Sequence, residues 1–235
     1  MSKSVEKIRN FALAGHAGCG KTLLADLMLY KAGATNRQGT IEEKNTVSDF
    51  RPEEQEKQHS IYAAPLHCTW NDHDFYFVDT PGNQDFVGEM IAALGVSDVA
   101  VIVIDAVNGL EFGAVRAWSQ ARERGCPRVV FINSLDRENA DFDKALDALQ
   151  EAYGKTTCIP MALPVGSQAD LSGVVNVLGA DDVPAELSAR VEHYKSSLTD
   201  TAAESDDDLM ERYLEGEGLT EAEIARGLHD AVMSG

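Results

Sequence analysis

Short apolar runs alternate with amphipathic segments along the first two thirds of the chain. Three runs are largely apolar, as strands are when helices cover both faces of a parallel sheet: 8–14, 99–104 and 128–132. Three segments have the apolar spacing of helices: 23–29, 110–124 and 140–153. Strands that alternate with helices predict an α/β fold with a doubly wound, mostly parallel sheet and helices on both faces.

Two other predicted strands, 61–70 and 75–78, flank a turn sequence that favours a hairpin. The polar segment 33–59 precedes them without apolar periodicity, and segments of this length are usually functional or mobile. Beyond residue 166 one short strand is followed by three charged helices: 174–178, 184–198, 202–214 and 221–232. We therefore predict a main domain at 1–165 and a small α+β subdomain at 166–235.

Two helix starts in this subdomain carry recognisable signals. Thr220 and Glu223 have the spacing of a capping box. The acidic cluster 206–208 is interpreted as a solvated helix start, because the helix dipole favours negative charge there, rather than as a partner surface.

The first predicted strand leads directly into a glycine-rich turn and then a helix. The turn reads Gly15-His16-Ala17-Gly18-Cys19-Gly20-Lys21-Thr22, which has the spacing G-x-x-x-x-G-K-T. Glycines let backbone N–H groups approach phosphate oxygens where the helix begins, so this context is typical of a P-loop NTPase. We expect the backbone of His16, Ala17, Gly18, Cys19 and Gly20 to bind nucleotide phosphates. Lys21 would reach the terminal phosphates, and the Thr22 hydroxyl would bind Mg²⁺.

A second phosphate-side element follows the predicted strand 75–78. It reads Asp79-Thr80-Pro81-Gly82. A carboxylate at the end of a buried strand can hold Mg²⁺ through a water molecule, so Asp79 is a candidate metal residue. The N–H of Gly82 can turn toward a terminal phosphate. The sequence therefore predicts that two separate loops meet at one triphosphate site.

Composition and charge limit the functions and the cellular location that we expect for this chain. A formal net charge of −19 disfavours direct binding to free nucleic acid, because phosphates would meet a repulsive field. Four scattered cysteines without a C-x-x-C pair fit a reducing compartment. Cys19 is either a reactive thiol or a small residue that fills space. The sequence has neither a signal peptide nor a spanning apolar stretch, so we expect a cytoplasmic monomer that binds no membrane. The histidines do not have the spacing of metal ligands, so we expect no zinc.

Three motifs together resemble the nucleotide-binding domain of translational GTPases, and most of all elongation factor G and its elongation factor G-like paralogues. They are G-H-A-G-C-G-K-T, D-T-P-G-N-Q-D-F and N-S-L-D, and the stretch 200–217 resembles an insert peculiar to that family. The resemblance implies that 1–165 is the GTP-binding domain and 166–235 the insert subdomain. It also implies that the last guanine-binding loop and the ribosome-binding domains are absent, so we expect a piece of a longer protein.

The resemblance assigns guanine recognition to Asn133 and Asp136. Ser134 stands where the family has a lysine that packs on the base, so we expect a preference for guanine with weaker affinity. The first switch of the family carries a hydroxyl that binds Mg²⁺ and senses the terminal phosphate. Ser60 is its best equivalent here, and Tyr62 is the other candidate.

The second switch departs from the family pattern. Asn83, followed by Gln84, stands where translational GTPases usually have the histidine that positions the attacking water. We expect both residues to border that water, with Lys21 and Gly82 completing the catalytic set. Because phosphoryl transfer depends on positioning, this replacement predicts weak intrinsic hydrolysis with intact binding of GTP, GDP and Mg²⁺.

Three functions are compatible with these residues. The first is a Mg²⁺-dependent GTPase that drives a conformational switch on the ribosome. The second, favoured by Asn83 and Ser134, is a nucleotide-binding module with little hydrolysis whose acidic insert meets a ribosomal stalk protein or a ribosome-protection target. The third is an ATP-dependent P-loop enzyme, which requires that Asp136 only caps a loop.

Overall fold

The structure, a computed structural model, describes residues 4–179 and 182–234. The chain groups into two compact units. The first contains Met1–Asp105 and Leu110–Asn133, and the second contains Ala106–Gly109 and Ser134–Gly235. These units differ in extent from the predicted domains 1–165 and 166–235, whose boundary stays a prediction.

The first unit alternates strands and helices, as its apolar pattern predicts. Its elements are β1 Ile8–Gly15, α1 Lys21–Lys31, α2 Pro52–Lys57, β2 Ala64–Trp70, β3 His73–Asp79, α3 Val87–Leu94, β4 Val99–Asp105, α4 Phe112–Glu123 and β5 Arg128–Asn133. Two short 3₁₀ helices, Val5–Lys7 and Gln84–Phe86, accompany them. No helix in the described ranges combines the length and apolar character needed to cross a bilayer.

One five-stranded sheet organises this unit, in the order β2-β3-β1-β4-β5. β1, β3, β4 and β5 are parallel, and only β2 runs antiparallel, as the partner of β3 in the predicted hairpin. β1 and β3 are adjacent, with Leu13 opposite Asp79. Because both strands end at the same edge, the loops that follow them meet there.

The two faces of β1 differ in side-chain size. Phe11 and Leu13 pack with α1, and the Phe11 ring stacks on Phe77 with centroids 5.2 Å apart. Ala12 and Ala14 alternate with them and are fully buried, on the face that α3 and α4 approach. Each buried Leu or Phe contributes about 1.5–3 kcal/mol, so the α1 side anchors the helix that starts the glycine-rich loop.

The second unit is α+β. Its elements are α5 Phe142–Tyr153, β6 Ala162–Val165, β7 Gly173–Asn176, α6 Ser188–Glu204, α7 Asp207–Leu214 and α8 Glu221–Ser234. β6 and β7 form an antiparallel pair. Leu163 and Val175 from these strands share a buried core with Val191, Leu198 and Ile224 from the helices. The small α+β part of the predicted fold is therefore confirmed.

Helix boundaries in the second unit correct the sequence interpretation. The helix predicted at 184–198 runs instead over Ser188–Glu204, and the one predicted at 202–214 begins only at Asp207. Asp206 is the reason for the late start, because its Oδ1 accepts hydrogen bonds from the N–H groups of Asp208 and Leu209. The predicted capping box is confirmed by reciprocal hydrogen bonds between Thr220 and Glu223.

Candidate nucleotide-binding site

The glycine-rich loop leaves the carboxyl end of β1 and enters α1 at Lys21. Gly20 caps the helix with φ 90°, and a Cβ there would lie 2.3 Å from Nδ2 of Asn133. The left-handed backbone conformation favours glycine at this position, and a larger residue would also displace the Asn133 side chain. The loop therefore presents its backbone, and not side chains, at the start of α1.

The side chain of Lys21 is buried inside the loop it terminates, with 5% exposure. Its ammonium group donates to the carbonyl oxygens of His16 at 2.8 Å and Gly15 at 3.4 Å. A buried ammonium held by neutral carbonyls is a strong local positive charge. This places a cation where the sequence predicts bound phosphates.

Three oxygen-bearing side chains meet beside the start of α1. The Thr22 hydroxyl donates to Oδ2 of Asp79 at 2.7 Å and lies 3.1 Å from the hydroxyl of Ser60. These are the three predicted Mg²⁺ residues, contributed by α1, by β3 and by the residue that follows the polar segment 33–59. The Tyr62 ring instead lies 3.9 Å from the Arg51 guanidinium carbon, so the geometry favours Ser60 over Tyr62 as the switch hydroxyl.

Burial is the largest influence on the pKa values of two carboxyl groups at this site, Asp79 and Asp49. It raises the pKa of Asp79 to about 6, against the opposing hydrogen bond from Thr22 and the charge of Lys21. It also raises the pKa of Asp49, which a hydrogen bond from Ser60 opposes and the charge of Glu54 reinforces. Within the described ranges, Oδ1 of Asp79 and Oδ1 of Asp49 are buried without a hydrogen-bond partner.

These groups suit a hard divalent cation. Two buried carboxylates with unpaired oxygens are unfavourable alone, and a cation would compensate them. Hydroxyl and carboxylate oxygens are the ligands that Mg²⁺ prefers. No group of three or more His, Cys, Asp or Glu in the described part of the chain could hold a metal, so the candidate cation site depends on Thr22 and Ser60.

A cavity of about 270 Å³ lies against the glycine-rich loop. Its lining joins that loop to the polar segment and to the loop after β3: Ala17, Gly18, Gly20, Lys21, Thr22, Leu23, Ile41, Asp49, Gln58, His59, Ser60, Gly82 and Asn83. A Cβ on Gly82 would lie 2.5 Å from the backbone nitrogen of Ala17. Only glycine therefore lets the loop after β3 reach the phosphate-binding backbone.

The two predicted water-bordering residues are placed differently. Asn83 lines the cavity, but its Oδ1 accepts a hydrogen bond from the N–H of Asp85 at 3.1 Å and so caps the helix Gln84–Phe86. Gln84 is exposed and does not line this cavity. The structure brings Asn83, but not Gln84, together with the phosphate-side residues, and the catalytic roles of both stay predictions.

Comparison with known proteins decides the family. The model of the elongation factor Tu GTP binding domain matches residues 6–222. The chain belongs to the elongation factor Tu GTP-binding domain family. The predicted translational GTPase domain and P-loop α/β fold are thus confirmed.

A solved structure is similar to this chain over nearly its whole length. A protein of Thermus thermophilus, known from a crystal structure, is 33% identical and superposes with a TM-score of 0.90. The match covers 97% of this chain and 36% of that protein. The chain therefore spans about a third of the length of this relative.

In this GTP-binding domain, the two residues predicted to read guanine lie in different compact units. Asn133 ends β5 in the first unit, and its Nδ2 donates to the carbonyl oxygen of Cys19 at 2.9 Å. This bond ties β5 to the phosphate loop. Asp136 belongs to the second unit, and recognition of guanine by the pair stays a prediction.

Two side chains of the phosphate loop turn away from the cavity. His16 accepts a hydrogen bond at Nδ1 from the N–H of Gly113, and its Nε2 lies 3.4 Å from a carboxylate oxygen of Glu111. Cys19 is 1% exposed, and burial raises the pKa of its thiol. A protonated, buried thiol fits the space-filling role better than the reactive one.

Sequence reasoning missed several residues in the polar segment. Asp49 and His59 line the cavity, and Glu54 is 1% exposed although it lies among charged neighbours. Oε1 of Glu54 accepts hydrogen bonds from the N–H groups of Ile61 at 3.0 Å and Tyr62 at 3.1 Å. The only available signal was the unusual length of a segment without apolar periodicity.

Proposed function

We propose that this chain is the GTP-binding domain of an elongation factor G-like translational GTPase. It binds GTP and GDP and hydrolyses GTP with Mg²⁺ to drive a conformational switch on the ribosome. The observation that carries the proposal is that the Thr22 hydroxyl contacts both Ser60 and Asp79, and that Thr22 and Ser60 line one cavity together with Lys21. This is the arrangement that phosphoryl transfer needs, because positioning and charge stabilisation supply most of its catalysis.

Each residue has a definite task in this proposal. Lys21 and the loop N–H groups bind the phosphate oxygens, and the N–H of Gly82 faces the terminal phosphate. Thr22 and Ser60 would hold Mg²⁺ directly, and Asp79 through water, and the ion would neutralise charge on the phosphates. Asn133 and Asp136 would select guanine over adenine.

The switch depends on the polar segment 33–59, which leads directly into Ser60. Asp26 of α1 is 1% exposed, and its carboxylate accepts hydrogen bonds from the N–H groups of Gly39 and Val47. Glu54 holds the far end of the segment in the same way. Few apolar side chains anchor it between these points, so a contact to the terminal phosphate can change its position.

The wider role rests on the family. The matched Thermus thermophilus protein is about three times as long as this chain. We infer that further domains of such a protein contact the ribosome and that the acidic insert helices meet a stalk protein. We also propose that the chain is a cytoplasmic monomer that binds no membrane, and its net charge of −19 disfavours binding to free nucleic acid.

Competition between nucleotides tests this proposal. Fluorescent GDP and GTP analogues should bind the chain with Mg²⁺, and unlabelled GTP, but not ATP, should displace them. Lys21→Ala should remove triphosphate binding, while Lys31→Ala, in the last turn of the same helix, should not. Unchanged affinity in Lys21→Ala, or displacement by ATP, would contradict the proposal.

A second function is favoured by one observation. The oxygen of the Asn83 side chain already caps the helix after it, so this residue is poorly placed to orient water. The domain would then be a nucleotide-binding interaction module with little hydrolysis. Single-turnover measurements distinguish the two, because a module binds GTP and does not convert it.

A further inference from the structure

Hydrolysis of GTP requires a group that accepts a hydrogen bond from the attacking water. A hydrogen-bond acceptor turns the lone pair of the water toward phosphorus, and misplacement of such a group by 1 Å can lower the rate about 100-fold. The oxygen of Asn83 is engaged by the N–H of Asp85, which leaves mainly N–H donors. Gln84 is exposed and does not line the cavity.

His59 lines the same cavity and belongs to the loop that follows α2. It directly precedes Ser60, which lies against Thr22, and the cavity lining also contains Gly82 and Asn83. The His59 ring is roughly parallel to the ring of Phe86, with centroids 6.3 Å apart and 26° between planes. An imidazole therefore borders the place where the terminal phosphate and its water would lie.

A hydrogen bond sets the tautomer of this imidazole. Nδ1 of His59 lies 3.1 Å from the carbonyl oxygen of Lys57. A carbonyl oxygen only accepts, so Nδ1 carries the hydrogen and donates. Nε2 of the neutral ring then carries the lone pair, which makes it an acceptor for a water hydrogen.

The backbone on both sides of His59 is held by one residue. The N–H of His59 donates to the carbonyl oxygen of Glu54 at 3.3 Å, and the Glu54 carboxylate accepts from the N–H of Ile61. Gln58 has φ 55°, a left-handed conformation that ends α2 and turns the chain toward the cavity. The imidazole is therefore carried on a fixed turn and not on a free loop end.

We propose that Nε2 of His59 accepts a hydrogen bond from the attacking water and so fills the role that Asn83 leaves open. The inference rests on the proposed GTPase function. In the step, the water oxygen forms a bond to the γ-phosphorus, and the bond from that phosphorus to the β–γ bridging oxygen breaks. The electron pair of the broken bond stays on GDP. One water proton remains on the phosphate product, and the other is released to solvent.

The test compares His59→Ala, His59→Gln and a matched control. His73→Ala removes an imidazole whose Nδ1 also contacts a backbone carbonyl, that of Asn71, in the hairpin turn. Three quantities are measured on the chain with Mg²⁺: affinity for GDP, affinity for GDP with aluminium fluoride, and the single-turnover rate with GTP. Aluminium fluoride mimics the phosphoryl group in transfer, so its binding reports on the water-positioning group even when turnover is slow.

We expect His59→Ala to lower the GTP rate and the aluminium fluoride affinity by roughly 10- to 100-fold while GDP affinity stays within about twofold. His59→Gln keeps an acceptor at similar reach, so it should retain part of the GTP rate and part of the aluminium fluoride affinity. His73→Ala should match wild type in both quantities. Equal rates and analogue affinities in wild type and His59→Ala would overturn the inference. A wild-type chain that binds GDP but neither hydrolyses GTP nor gains affinity with aluminium fluoride would overturn it too, with guanine binding intact. If wild type binds no guanine nucleotide, the proposed function fails and this inference fails with it.

Discussion

Asp79, a proposed Mg²⁺ residue, lowers the stability of the fold when no cation is bound. It is 1% exposed, one of its oxygens lacks a partner among the described residues, and its pKa is raised to about 6. A raised carboxyl pKa means that the folded chain binds a proton more tightly than the unfolded chain does. Stability therefore falls as pH rises from about 4 to 6, and the full penalty is present above that range.

Replacing this carboxylate should stabilise the chain when no Mg²⁺ is present. Asp79→Asn keeps an oxygen that accepts from Thr22 and removes the buried charge, so the free energy of unfolding at pH 7.5 should rise by up to about 3 kcal/mol. Urea denaturation with EDTA measures this. The difference from wild type should shrink below pH 5, and Asp147→Asn, exposed on α5, should show no such pH-dependent gain.

The Thr22 hydroxyl should matter mainly for Mg²⁺. Thr22→Val keeps the shape and removes the group that contacts both Asp79 and Ser60. We expect the GTP affinity measured with Mg²⁺ to fall roughly 10- to 100-fold or more. The GTP affinity measured in EDTA should fall less. Thr35→Val is the control, because the Thr35 hydroxyl donates to the Arg37 carbonyl in the loop after α1. An unchanged response to Mg²⁺ would argue against Thr22 as a ligand.

Sequence reasoning did not predict three elements, α3, β6 and α2, and α2 is the one without any apolar pattern. Its six residues Pro52–Lys57 are almost all polar, so no apolar periodicity marks them as a helix. The helix exists because Glu54 turns inward and accepts hydrogen bonds from the backbone of the loop it precedes. A buried carboxylate with a local backbone partner has no periodic signature, in contrast to the apolar faces of α1 or α5.

Removing this contact should loosen the loop that carries His59 and Ser60. Glu54→Ala leaves the N–H groups of Ile61 and Tyr62 without their acceptor, which should lower the free energy of unfolding by about 1–3 kcal/mol. Hydrogen exchange should accelerate at those amides. Glu56→Ala, exposed on the same helix, is expected to change neither quantity. Equal exchange in both variants would show that Glu54 does not hold the loop.

At the scale of the whole molecule, nucleotide binding should appear as stabilisation. With GTP and Mg²⁺ at 100 times the dissociation constant, the linkage gain is about 2.7 kcal/mol. For a chain of this size that corresponds to a rise of about 5–10 °C in Tm. ATP at the same concentration should give no shift, and Lys21→Ala should lose the shift that Lys31→Ala keeps. An equal rise in Tm with ATP would contradict the predicted preference for guanine.

Much of this protein was predictable from local sequence. Each apolar run and helical periodicity in the first unit matches a strand or helix, because burial of those side chains is what stabilises the elements. The phosphate loop was recognisable because glycines and Lys21 must occupy fixed positions between a strand and a helix. Asp79 and Gly82 were recognisable for the same reason, at the end of the neighbouring parallel strand.

Tertiary structure alone decided which distant polar groups share the site. Residues of the polar segment, such as Asp49 and His59, reach the cavity through long-range packing that leaves no periodic trace in the sequence. Only the folded chain shows that the Asn83 oxygen is used for helix capping, while a hydrogen bond to Lys57 leaves Nε2 of His59 as an acceptor. Local sequence determines strands, helices and turns, whereas hydrogen-bond partners across the fold depend on how those elements pack.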